Sequence, residues 1–241
     1  MITAGVDLAS QPQNTGFFVL RWEAGAVQVE RLEGHLDDDG LRRLVQSSAE
    51  KVGLDVPLGW PRRFVELVRR HSEMRLVEFV EMKRLTHRAT DHWVRDRCGL
   101  WPLSVATDRI AYPALRAAPL LSGKSRDGSG QVVEAYPAAA LIAWGLESRG
   151  YKGPEGRAGR ERILAGLLDA LPGLGDGTLD PEPVLTDDNR LDALVAALVA
   201  RAVACGLCEP IPARHLVDAR VEGWIHLPSE GSLARLGAGA A

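Results

Sequence analysis

MITAGVDLASQPQNTGFFVLRWEAGAVQVE, residues 1–30, holds three strand-like runs separated by short breaks. MITAGVDLA (1–9) reads as a buried strand, SQPQNTG (10–16) as a polar turn and FFVLRWEAG (17–25) as a second strand. A third run, AVQVERLEG (26–34), alternates apolar and polar residues. Gly25, between the second and third runs, suits a hairpin turn, so the chain is expected to open with an antiparallel three-strand meander. The first run stops at an acid, Asp7, and that feature recurs further along.

Beyond the meander, the Asp37–Asp39 cluster marks a helix start, with Leu41, Leu44 and Val45 on one face. KVGLDVPLG (51–59) is a fourth strand, broken by Pro57 and Gly59. From Pro61 to about Pro119 the pattern is mostly helical and arginine-rich, with apolar positions at Phe64, Leu67 and Val68, then Leu76, Phe79 and Val80. We read residues 60–125 as a helical insertion after the fourth strand. QVVEAYPAA (131–139) resumes as a strand with Glu134 near its end, and a helix carrying Ala140, Leu141 and Trp144 follows Pro137. Further helices are expected over Gly159–Leu171 and Asp187–Cys205, with LPGLGDGTLDPEP (171–183) as a long turn between them. RVEGWIHLP (220–228) reads as a short last strand, and 230–241 as a flexible tail. No internal repeat is present. The expected fold class is α/β, a mixed sheet flanked by helices in a single domain spanning 1–241.

Composition narrows the function classes. With 241 residues, 46% hydrophobic and 25% charged, the chain has the makeup of a globular protein that buries a full core. No apolar run approaches the roughly 20 residues of a membrane span, and no secretory signal pattern opens the sequence, so a cytoplasmic protein without a membrane partner is expected. A net charge of -3 excludes a globally basic nucleic-acid binder but leaves room for a local basic face. Between Arg62 and Arg97 there are ten Lys or Arg against six Asp or Glu, a mild excess. The three cysteines form no disulfide framework. Cys205 and Cys208 have C-x-x-C spacing without a second pair or a histidine at a zinc-like distance, and read as small apolar residues near a helix end. His71, His87 and His92 lack metal-like spacing and read as surface residues.

The acids carry the chemistry. Asp7 and Asp55 close apolar, strand-like runs, and TDDNRLDALVAAL (186–198) opens a helix with Asp188 and Asp192 four apart, on the flank of the stripe Leu191, Leu194, Val195 and Leu198. An Asp at a strand end is often a turn residue, and one at a helix start is often a cap. Asp192 lies past the first turn, where capping no longer explains it, and Asp55 is flanked by Leu54 and Val56. If the strands bearing Asp7 and Asp55 are neighbours, both carboxylates can face this helix. Acids so close repel one another unless a cation neutralises them, and Mg2+ or Mn2+ with oxygen ligands would do so.

The early strand Asp, the meander, the fourth strand ending in Asp and the late helix bearing Asp resemble the ribonuclease-H-like fold. More narrowly, GVDLA (5–9), DVPLGWP (55–61), R-x-T-D at Arg88–Asp91, EAYPAA (134–139) and DDNRLDALVAAL (187–198) resemble the domain-of-unknown-function family 429, whose members are predicted ribonuclease-H-like nucleases. The resemblance spans about residues 2–205. It implies that Asp7 bridges two metal ions while Asp55 and Asp192 flank it and Asp188 assists. Two such ions about 3.5–4 Å apart would stabilise the attacking water and the leaving oxygen of a phosphodiester. Glu134 is implied either as a ligand or as a residue that orients one. Arg88 and Asp91 match the family motif, and with Arg95 they read either as contacts to the substrate backbone or as ion pairs on a solvated helix face.

The function these features imply is hydrolysis of nucleic-acid phosphodiester bonds by a two-metal mechanism. Two other readings keep the fold: a non-catalytic metal- or nucleic-acid-binding protein, and an actin-like phosphotransferase. The latter requires a duplicated domain with a second phosphate loop, for which 241 residues are too few.

Overall fold

The computed structural model describes all residues except 24–25, 31–35, 79, 176 and 239–241. The hairpin glycine Gly25 and the apolar position Phe79 therefore lie outside the described residues. Strands β1 (Ile2–Asp7), β2 (Gly16–Glu23) and β3 (Ala26–Val29) form the expected antiparallel meander. Strand β4 (Lys51–Asp55) pairs parallel to β1, and β5 (Val132–Glu134) parallel to β4. The result is one mixed sheet in the order β3-β2-β1-β4-β5, an α/β arrangement as expected.

Helix α1 (Asp38–Leu44) starts on Asp37, whose side chain accepts from the Gly40 N–H. After β4 come four helices of the expected insertion: α2 (Arg62–Ser72), α3 (Met82–Thr86), α4 (Ala89–Cys98) and α5 (Ala111–Ala117). Past β5 lie α6 (Pro137–Ala143), α7 (Arg157–Ala170), α8 (Pro181–Thr186), α9 (Asp188–Ala204) and α10 (Leu216–Glu222).

Three local expectations are corrected. The last three residues of the turn expected over 171–183 instead open helix α8, because Pro181 occupies the first helical position and Asp180 caps it by accepting from the Glu182 N–H. Arg220–Glu222 end α10, so the strand expected over 220–228 is reduced to an isolated bridge between Ile225 and Glu134 and another between Pro228 and Cys208. Instead of fraying from residue 230, the chain packs Leu233 and Leu236 into the core, and the Leu236 carbonyl accepts from Arg201.

The sheet carries a core on each face. Ala4, Val6, Val52, Leu54 and Val132 pack toward Leu41 and Ala114, while the opposite face is covered by α9. Every residue of α9 from Leu191 to Ala202 is buried, so the helix is enclosed on all sides rather than along one stripe. Its alanines explain how it lies so close to the strands. Gly5 and Gly53 are partners across β1 and β4, and a Cβ on either would overlap the carbonyl oxygen of Ala193 or Ala196 respectively. A backbone oxygen cannot move aside as a side chain can. Gly5→Ala is therefore expected to lower stability by about 3 kcal/mol, the upper end of ordinary overpacking, as read from the urea midpoint.

The insertion is fastened at one carboxylate. Glu222 accepts from the Arg62 N–H and from the Ala89 N–H, both at 2.8 Å, and so satisfies the first turns of α2 and α4 together. Trp93 and Val94 of α4 pack with Ala219, Trp224 and Ile225 in a third apolar cluster.

Candidate metal centre

Strand alternation decides which acids meet. Thr3, Gly5 and Asp7 lie on one face of β1, and Lys51, Gly53 and Asp55 on the same face of β4, the face covered by α9. Asp7 and Asp55 are themselves register partners. Asp192 reaches them from α9, just before the Ala193 backbone that rests on Gly5. Oxygens of Asp7, Asp55 and Asp192 lie within 4.8 Å of one another, the only such group of acids, histidines or cysteines among the described residues. The oxygen chemistry and the spacing fit a divalent cation.

The electrostatics agree with that fit. Burial, reinforced by repulsion from Asp55 and Asp192, holds the Asp7 carboxyl well above the usual carboxylate range. Burial and then Asp192 push Asp55 up to about 8, with Lys152 opposing. Asp192 is fully buried and also raised by burial, against the lowering effects of Lys152 and Tyr151. Lost hydration thus outweighs the one ammonium nearby, and the cluster lacks positive charge.

Asp188 sits beside the trio, one helical turn before Asp192. It accepts from the Gly153 N–H at 3.1 Å and lies 3.6 Å from the Lys152 ammonium. Lys152 also meets Asp192 Oδ2, and the Tyr151 hydroxyl donates to Asp192 Oδ1 at 2.9 Å. Neither Tyr151 nor Lys152 is among the residues that sequence reasoning selects. The one local signal is the frame GYKG (150–153), whose glycines have φ of 68° and 74° and so shape a tight turn that points both side chains at the cluster.

Glu134 does not join. It pairs with Leu54, not Asp55, and therefore lies on the opposite side of the pleat from the aspartates. There it forms a fork with Arg88, Nη1 to Oε2 at 2.8 Å and Nη2 to Oε1 at 2.7 Å, and accepts from the Leu58 N–H at 3.0 Å. Arg88 also binds Asp91 Oδ1 at 2.8 Å and the Glu222 carbonyl at 3.2 Å. The pairing of Arg88 with Asp91 is the one helical spacing suggests, but it is buried: the two residues are 1% and 0% exposed. Their role is to clamp α4 to β5, and their polar atoms are spent on that clamp rather than offered to a substrate. Arg95 is half exposed and stacks over Trp101, with 5.3 Å from its guanidinium carbon to the ring centroid.

The remaining candidates fall outside the centre. His87 and His92 pack on the Trp101 ring, at 4.6 and 5.2 Å between centroids. Cys205 and Cys208 are free and pack against the core, and burial pushes the Cys208 thiol up to about 12. Among the described residues no helix is long and apolar enough to cross a membrane.

Fold and centre together define an α/β protein with a partly buried carboxylate cluster at the end of two parallel strands. The chain belongs to the family described as Protein of unknown function (DUF429), which matches it over residues 5–216. No curated protein and no solved structure matches it.

Proposed function

We propose that the protein is a divalent-metal-dependent hydrolase of nucleic-acid phosphodiester bonds, built on a ribonuclease-H-like framework. The observation that carries this reading is the convergence of Asp7, Asp55 and Asp192, from two parallel strands and one late helix, within 4.8 Å. The order of meander, helix, acid-ended fourth strand and acid-bearing late helix supports the framework. A bound Mg2+ or Mn2+ would supply Lewis-acid stabilisation of the charge that develops on a phosphoryl oxygen. Asp7 and Asp55 would hold it at the strand ends, with Asp192 buried behind them and Asp188 at the flank.

A cleft of the size a long anionic substrate needs lies beside the insertion, and Asp7, Asp55 and Asp192 are not among the residues that line it. Trp60 and Arg62, shortly after Asp55 in sequence, line a cleft of about 1780 Å³ between the insertion and α10. Arg63, also in the cleft, has no ion pair among the described residues, while Arg62, Arg70 and Arg84 are paired with neighbouring acids. A fork of guanidinium donors suits phosphates in the cleft.

The test is incubation with single-stranded, duplex, hybrid and branched nucleic acids, each with Mg2+ or Mn2+. Cleavage of at least one is expected, and its loss in Asp192→Asn. If none is cut, or if the variant cuts as well as wild type, the hydrolase reading is wrong.

A further inference from the structure

Lys152 divides the acidic cluster into two halves. The helix acids are taken up by the loop that carries this lysine: both oxygens of Asp192 are engaged, one by the Tyr151 hydroxyl and one by the ammonium, and Asp188 receives the Gly153 N–H. The strand acids are not. Among the described residues the Asp7 and Asp55 carboxylates accept no hydrogen bond, and burial and neighbouring charges dominate what acts on them. A pair of unpartnered carboxylates, side by side in register, is the half of the cluster that still needs a cation.

We propose that the centre takes a single divalent ion held by Asp7 and Asp55, and that the Lys152 ammonium fills the position beside Asp192 and Asp188 where a two-ion site would hold the second. The inference rests on the metal-centre reading above and refines it.

Charge favours this division. Two divalent ions plus the ammonium would exceed the charge of the four carboxylates, whereas one ion plus the ammonium falls just short of it. Geometry favours it too. The Lys152 side chain is 54% exposed, but the loop that carries it is fixed: Gly150 and Gly153 adopt backbone conformations that side-chain-bearing residues rarely take, and Arg160 ties the loop down by donating to the carbonyls of Tyr151 and Gly153 at 2.7 and 2.8 Å. Arg160 is itself 1% exposed. A second ion could enter only by displacing the ammonium from Asp192 and leaving the Tyr151 hydroxyl facing a cation. Lys152 is thus a positioning residue: it fixes Asp192 and limits the ion count.

The test is a count of Mn2+ bound per full-length, metal-stripped chain, by calorimetric titration and by the electron paramagnetic resonance signal of free Mn2+. Wild type is expected to bind one ion, Lys152→Gln two and Lys152→Arg one. Two ions on the wild type overturn the inference while leaving the metal centre standing, and so does one ion on a Lys152→Gln chain whose circular dichroism is native. No ion on either protein overturns both the inference and the metal reading. If Lys152→Gln does not fold, the wild-type count and the Lys152→Arg count still decide.

Discussion

Asp7→Asn and Asp55→Asn should reverse their stability ranking against wild type when metal is added. In chelator, each variant removes one of two carboxylates that burial and mutual repulsion hold in an unfavourable state. The folded Asp55 carboxyl ionises at about 8 against an ordinary 3.8, so the folded state keeps its proton longer than the unfolded chain does. Well below pH 3.8 both states are protonated and Asp55 contributes no difference. As pH rises toward 8 the unfolded state ionises first, and wild type loses stability relative to Asp55→Asn by an amount on the order of a few kcal/mol. With Mn2+ present the wild type alone gains binding energy, about 2.7 kcal/mol at a hundredfold excess over the dissociation constant. Cleavage by either variant is expected to fall by about 100-fold or more. Thermal melts at pH 5 and pH 8, with chelator and with Mn2+, check the reversal. A metal-induced shift that survives in Asp7→Asn would remove that residue from the centre.

Arg88→Met should be the most destabilising single change outside the sheet. It leaves Glu134 and Asp91, 2% and 0% exposed, without the guanidinium that neutralises both. Burial already holds Glu134 above its ordinary range despite Arg88, so the loss of Arg88 leaves a charge that must be protonated or hydrated by opening the structure. A loss of about 3–5 kcal/mol is expected, the range for breaking one side of a buried pair. Arg95→Ala, on the exposed face of the same helix, should stay within about 0.5 kcal/mol. Urea titrations of both variants separate a clamp from a substrate contact. If Arg88→Met keeps wild-type stability and loses only affinity for nucleic acid, the clamp assignment is wrong.

The difference between Arg88 and the aspartates shows what kind of information the sequence carries. Asp7 and Asp55 were legible because strand alternation and strand ends are local patterns: both sit on the face that includes Gly5 and Gly53, and both end their strands. Asp192 was legible because it lies too deep in its helix to be a cap. Glu134 was misplaced for an equally simple reason. β5 is only three residues long, so its pleat phase is set by which residue of β4 it pairs with, and pairing with Leu54 turned Glu134 away from the cluster. Arg88 and Asp91 read from sequence either as substrate contacts or as a surface pair at helical spacing, because nothing in residues 84–97 reveals that Glu134 and Glu222 lie against them.

The meander, a fourth strand ending in an acid, the helical insertion and the candidate carboxylates are readable in the sequence, since alternation, turn residues and helix periodicity act over a few residues at a time; the parallel pairing of β4 with β1, which brings the carboxylates together, is not. Only the tertiary structure decided which charges neutralise which. Lys152 and Tyr151 reach Asp192 across about forty residues of chain, and Arg88 reaches Glu134 across a similar gap. Pairings at that separation arise from how α9 and the insertion dock on the sheet, and that docking is fixed by the close approach of α9 to Gly5 and Gly53 and by the clamp at Glu222. The strength of each charge then follows from burial, which belongs to the assembled fold and to no single stretch of chain.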